Sequence, residues 1–167
     1  MKFSPAFAAS LSLVLASGLA WAAHEEKGES KTEIALKHRM APPKDADIDN
    51  AATLQGLLDK SGKDAWPANK GARIEGYVVQ VERESDNDVK LVLADAKGET
   101  STRRWVIAEV CPEWRKKDAT MSEASLRAMV GKKVAVTGWL YHEPEDESDD
   151  PRGTLWEIHP VTSIKLE

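Results

Sequence analysis

Cysteine is almost absent from this chain: Cys111 is the only one in 167 residues. A single thiol excludes an internal disulfide and a cysteine-only zinc site, so packing alone must hold the core. In an oxidising compartment a lone cysteine reads as buried and inert rather than reactive. Long apolar runs are missing beyond residue 22, so no later segment reads as a membrane span. Also missing are Gly-x-Ser-x-Gly, His-Glu-x-x-His, a phosphate-cradling glycine loop and a dinucleotide fingerprint. No internal repeat is visible.

What is present begins with an export signal. Lys2 gives a positive start, Ala6 to Leu19 an apolar stretch, and Ala20-Trp21-Ala22 a small-x-small cleavage site before Ala23. No cysteine sits near the cleavage point to carry a lipid. The expectation is a soluble periplasmic or secreted protein with no membrane anchor after signal cleavage. Removing residues 1–22 removes Lys2 and no acid, leaving 22 Lys and Arg against 28 Asp and Glu, a formal charge of −6. That charge repels phosphate backbones at long range, so nucleic acid is expected to be an unlikely partner.

Residues 23–48 are charged and end near Ala41-Pro42-Pro43, the composition of a flexible leader, with His24 and His38 solvated in it. Residues 49–167 read as one domain with a core of its own. A short helix opens at Asp49, with Leu54, Leu57 and Leu58 on one face and Gly62 beyond its end. The first strand runs from about Ala72 to Glu84 and changes parity beside Gly76, as at a bulge. The second, Asp88 to Asp95, turns Val89, Leu91 and Leu93 inward; the third, Ser101 to Val110, carries Arg103, Arg104 and Trp105 and stops at Pro112.

Thr120-Met121-Ser122-Glu123 reads as a capping box, followed by a Leu126, Met129, Val130 stripe and Gly131 as the stop. The fourth strand places Val134, Val136 and Leu140 on one face and Thr137, Trp139 and Tyr141 on the other. The fifth places Trp156, Ile158 and Ile164 on one parity and Glu157 and His159 on the other. Three strands, a helix and two strands, with a bulged first strand, predict a mainly β fold. It is a five-stranded OB-like Greek-key barrel with a helix between strands 3 and 4 and a short N-terminal helix. Pro160 has no donor for a ladder and is expected where the barrel is only partly closed.

Val136-Thr137-Gly138-Trp139 and Trp156-Glu157-Ile158-His159-Pro160-Val161-Thr162 resemble the C-terminal signature of a group of small exported bacterial proteins with an OB-like barrel. Gly76-Tyr77-Val78-Val79 and Val106-Ile107-Ala108-Glu109-Val110 resemble that group's first and third strands. The resemblance spans roughly residues 50–165 and implies fold and export rather than an activity. Relatives carry Asp-x-His in the second strand, where this chain has Asp88-Val89-Lys90. They carry Asp-x-Glu-His after Gly-Trp, where this chain has only His142-Glu143.

Two constellations point to a binding face or a reaction centre. Trp139, Tyr141 and Trp105 with Arg103 would form an outer platform of the kind OB-folds use to stack ligands, or would pack under the leader. Glu157 and His159 share a face, and His142, with Asp88 or Asp86, is placed to converge on them. The plainer alternative is a partly exposed pair hydrogen-bonded to Arg103 or Lys133. From Glu143 to Asp150, six of eight residues are acidic; the spacing from Asp146 through Ser148 and Asp150 to Glu157 resembles a calcium loop. Pro151 replaces its glycine, so a solvated loop with at most weak divalent-cation binding at Asp146, Asp150 or Asp88 is expected.

The function expected is a non-catalytic exported binding module for an oligosaccharide, a peptide or a protein partner, with no cofactor beyond such a cation. The alternative is a metal-dependent hydrolase, nuclease- or phosphodiesterase-like, on His159, Glu157 and His142. Asp86, Asp88, Glu109, Arg103 and Arg152 suit that chemistry by type. A third reading is an assembly subunit whose leader pairs with a larger partner.

Overall fold

The computed structural model describes residues 30–143 and 152–167. The expected signal peptide, His24, Asp146 and Asp150 lie outside the described residues. Five strands form: β1 (Gly71–Arg83), β2 (Val89–Ala94), β3 (Val106–Val110), β4 (Lys133–His142) and β5 (Trp156–Leu166). They close as a barrel in the order β1-β2-β3-β5-β4, with β4 returning to β1. Every pairing is antiparallel except β3 with β5. This is OB-fold topology, as the alternation implied.

The inward parities are those expected. Val89, Leu91 and Leu93 of β2, Val134, Val136 and Leu140 of β4, and Trp156 and Ile158 of β5 are all buried. Each such side chain contributes roughly 1.5–3 kcal/mol by leaving water, which is how a chain without a disulfide holds its core. One strand serves two neighbours: Gly71–Tyr77 pairs with β4 and Tyr77–Arg83 with β2. The register shift that permits this lies between Val78 and Gln80, not beside Gly76. Gly76 has another purpose. A Cβ there would stand 2.7 Å from Leu54 Cδ1, so its absence lets α2 (Leu54–Asp59) rest on the strand.

Several boundaries differ from the sequence reading, each for a local reason. Thr53, rather than Asp49, caps α2, accepting from Gly56 N–H at 3.0 Å; the Asp49 carboxylate instead accepts from Ala51 N–H at 3.0 Å in a turn. Residues Thr102–Arg104 form a short 3-10 turn, so β3 starts only at Val106. Pro112 ends β3 but also opens α3 (Pro112–Lys117), because a first-turn residue has no intrahelical use for an N–H.

The capping box at Thr120 does not form. Asp118 takes both the Thr120 N–H (2.9 Å) and its hydroxyl (2.7 Å), and Ser122 caps α4 (Glu123–Arg127). Leu126 and Met129 are buried as expected, whereas Val130 is 49% exposed.

Pro160 lies inside a closed barrel, contrary to the open seam expected for it. Gly138 pairs with Val161 and Leu140 with Ile158, so Trp139 alone faces both His159 and Pro160. That bulge removes the need for a Pro160 N–H. Gly138 makes room for it, since a Cβ there would lie 2.3 Å from Pro160 O.

The described part of the leader is folded against the barrel. Ser30 and Glu33 form a capping box that starts α1 (Lys31–Lys37). The chain after α1 then crosses the outside of the barrel, where Pro43 packs at Gly71.

Candidate functional site

The bulge in β5 sets the site. Ile158 enters the core, so Glu157 and His159 turn to the outer face, where β3 presents Glu109 and the β1–β2 loop ends at Asp88. On an ordinary half-buried strand that face is wet; here α1 and the chain after it cover it. His159 and Glu157 are only 1% and 2% exposed, which corrects the expectation of a partly exposed pair. Neither meets Arg103 or Lys133 in the way that reading required; Lys133 pairs with Glu75 at 2.7 Å.

His159 is the hub. Its Nε2 lies 3.0 Å from Asp88 Oδ2, and its Nδ1 lies 3.0 Å from Glu109 Oε2 and 4.0 Å from Glu157 Oε2. Arg152 Nη1 donates to Glu157 Oε1 at 2.6 Å. Cys111 Sγ stands 3.6 Å from His159 Nε2 and donates to the Lys37 carbonyl at 3.3 Å. Tyr141 presents its ring edge-on to the imidazole at 5.8 Å. Lys37 closes the top, with Nζ 3.0 Å from Glu143 Oε2. Asp88 Oδ1, Glu157 Oε2 and His159 Nδ1 are buried without a hydrogen-bond partner.

Charge governs these protonation states. Burial alone would lower the His159 pKa, but the charge of Glu109 and the hydrogen bond to Asp88 hold it well above its ordinary value. Burial works to raise the Asp88 and Glu109 carboxyls, and His159 reverses that, holding both below the usual range. Burial and the adjacent Glu109 push Glu157 up to about 8 in spite of Arg152. Burial pushes the Cys111 thiol up to about 12, so it stays protonated.

The remaining nominated residues separate. His142 is across the strand from Trp156, on the side opposite the Tyr141–Glu157 pair, and its ring packs 5.2 Å from Trp156. The trio His159, Glu157 and His142 therefore does not converge. Trp139 donates from Nε1 to Ala41 O at 2.8 Å, with the Arg39 guanidinium 4.6 Å from its ring, and Tyr141 is buried. Trp105 donates to Glu99 O at 3.3 Å from the turn before β3, which also holds Arg103. Since β5 separates β3 from β4, Trp105 and Arg103 do not share a platform with Trp139 and Tyr141. Asp86 is half-buried and accepts from Asp88 N–H at 2.8 Å.

Glu109 and Arg152 entered the sequence reading only by residue type, and Cys111 only as an inert thiol. The signal for Glu109 was an acid flanked by Ala108 and Val110 in an otherwise apolar strand. Nothing local marked Arg152.

Barrel order and site define an OB-fold domain with a charged cluster on its outer face. No family model and no curated protein matches the chain. Among solved structures, the Stn1–Ten1 complex of S. pombe is similar at 14% identity, over 71% of this chain and 77% of that one, with a TM-score of 0.45. An asparaginyl-tRNA synthetase of Entamoeba histolytica is similar at 15% identity over 61% of this chain, with a TM-score of 0.42. This chain spans only 21% of that synthetase. Yeast Stn1 and Ten1 follow at 12% identity, 58% and 42% coverage, and a TM-score of 0.33.

The expectation that nucleic acid is an unlikely partner does not stand, because the OB fold this chain adopts is one that takes oligonucleotides as well as other ligands. The physical fault lay in using a whole-chain sum. Binding responds to the field of one face, and acids consumed in pairs, such as Glu82 and Glu84 around Lys90, do not set that field.

Proposed function

We propose that this chain is an exported OB-fold binding module whose ligand is an extended polypeptide. Export is supported by Lys2, the Ala6–Leu19 stretch and the Ala20-Trp21-Ala22 cleavage site, and by the resemblance to exported barrels.

The ligand face is the outer side of β3, β5 and β4, the strands beneath α1 and the chain after it, on a barrel wall of the kind OB-folds use for ligands. One observation carries the reading. Three donors on and beside the barrel grip alternate carbonyls where the leader leaves α1: Cys111 to the O of Lys37, the last residue of that helix, at 3.3 Å, Trp114 Nε1 to Arg39 O at 2.9 Å, and Trp139 Nε1 to Ala41 O at 2.8 Å. From Arg39 onward the segment is out of the helix, where a spacing of two residues is how an extended peptide is read, and it continues into Pro42-Pro43, which favour that conformation. The leader is thus the occupant in cis of a face suited to a similar segment in trans.

The test is a labelled peptide of residues 30–45 titrated into the mature chain and into its Lys37→Ala variant. Loosening only the tethered copy should tighten binding of the free one, because a tether acts as a competitor at an effective concentration of order millimolar. Equal failure of both chains to bind would end the reading; a response to oligonucleotides alone would replace the polypeptide with nucleic acid.

A further inference from the structure

The buried cluster leaves polar atoms in an arrangement that hydrogen bonding within the protein does not explain. His159 Nδ1 and Glu157 Oε2 lack hydrogen-bond partners although their residues are 1% and 2% exposed. Glu109 Oε2 comes within 3.0 Å of Nδ1 without completing a hydrogen bond. One ligand atom from each of Glu109, Glu157 and His159 lies within 4.8 Å of the others. Ligands about 2.1 Å from a small divalent ion stand about 3.0 Å apart in an octahedron and about 3.4 Å apart in a tetrahedron. The separations of 3.0 Å and 4.0 Å from Nδ1 bracket the tetrahedral spacing, differing from it by about 0.4 and about 0.6 Å.

We propose that Glu109, Glu157 and His159 Nδ1 bind a divalent first-row transition cation such as Zn²⁺ or Mn²⁺. Asp88 is the positioning residue. It accepts a hydrogen bond from Nε2–H at 3.0 Å and thereby directs the Nδ1 lone pair at the two carboxylates, the arrangement by which a ligating histidine is held. Arg152 orients Glu157 through its other oxygen at 2.6 Å, leaving Oε2 for the ion.

The charge also matches. With His159 neutral, the carboxylates of Asp88, Glu109 and Glu157 against the Arg152 guanidinium sum to −2, which a divalent ion cancels. An imidazole ligand and so few oxygens suit a transition ion better than calcium. Glu109, whose side chain is 13% exposed, is the entry point.

The neighbouring group of Asp88, Cys111 and His159 is the rival. It requires a thiolate and the nitrogen already held by Asp88, so it is disfavoured. The proposal concerns the cluster's own geometry and stands whether or not the face above it binds a polypeptide.

The test strips the whole mature chain with chelator and titrates it with Co²⁺ and Zn²⁺ by calorimetry and absorption. The expected result is one ion per chain and cobalt d–d bands without a sulfur-to-metal band. Glu109→Gln and Glu157→Gln should each weaken binding by about 100-fold or more, and Asp88→Asn by about 10–100-fold. Cys111→Ser and the paired Asp146→Asn, Asp150→Asn change should leave it intact. Absence of stoichiometric uptake by the parent chain overturns the site without reference to any variant. Binding lost in Cys111→Ser, or in the acidic-loop variant, places the ion elsewhere and overturns it equally.

Discussion

Asp88 Oδ2 accepts from His159 Nε2 at 3.0 Å, with both side chains almost wholly out of water. The pair joins the loop before β2 to the bulge of β5, two strands with β3 between them. Breaking a buried pair from one side leaves the other group charged and unsatisfied, which costs about 3–5 kcal/mol. Asp88→Ala should therefore lower unfolding free energy by about 3 kcal/mol in urea at pH 6. A loss below about 1 kcal/mol would mean water replaces the carboxylate and the cluster is not sealed.

Glu157 behaves differently from its ion-paired appearance. Its carboxyl, pushed up to about 8 by burial and by Glu109, is mostly protonated at pH 7 in the metal-free chain. Glu157→Gln mimics that state and should change metal-free stability by less than about 1 kcal/mol. A loss above about 3 kcal/mol would show that an ionised Glu157 paired with Arg152 supports the fold.

The chelated chain should lose stability as pH rises. His159, raised above 6.5, adds stability that is complete below that value and lost as pH passes its folded pKa. Glu157, raised from 4.5 to about 8, favours the fold while protonated and opposes it as it ionises. Asp88 and Glu109, both lowered, act with the opposite sign, and their contribution disappears as pH falls through their folded values. Around His159 stand Asp88 before β2, Glu109 and Cys111 from and after β3, Tyr141 from β4 and Glu157 from its own strand, with Asp86, Lys37 and Arg152 beyond them. The thermal midpoint in chelator should peak near pH 5 and decline towards pH 8. A flat or rising profile over that interval would contradict the protonation states assigned here.

Gly138→Ala tests the bulge that aims His159. The new Cβ would lie 2.3 Å from Pro160 O and 2.6 Å from Ile158 Cγ2, so backbone must move rather than a side chain. Overpacking of this kind costs about 1–3 kcal/mol or more. Calorimetric unfolding should show that loss; an unchanged midpoint would mean β5 is not bulged at Pro160.

The barrel was legible because period-two alternation in β2, β4 and β5 is a local property, and the helix before β4 carries its own stripe. What misled were competing local partners. Asp118 captures Thr120, a turn takes Arg103 and Arg104 out of β3, and Pro112 serves as helix start as well as strand stop.

The site was half legible. His159, Glu157 and Asp88 stand out in the sequence, but partial exposure of the Glu157–His159 pair presumes a wet outer face. That face is dry because a charged leader folds over it through carbonyl groups, and carbonyl acceptance leaves no mark in side-chain pattern. His142 was placed by proximity along β4; the pairing of Tyr141 with Glu157 puts it on the other side.

Thiol labelling of Cys111 measures directly whether residues 37–41 close the proposed ligand face. The side chain is 1% exposed, donates to Lys37 O and, with its pKa pushed up to about 12, is a poor nucleophile until the segment lifts. Trp139→Phe keeps an aromatic ring and removes one hydrogen bond, worth about 0.5–1.5 kcal/mol, so opening should rise by up to about tenfold. The predicted result is a labelling rate raised by up to that factor while the barrel's thermal midpoint stays unchanged. Equal rates in parent and variant, both matching global unfolding, would contradict a leader that opens over a preformed barrel.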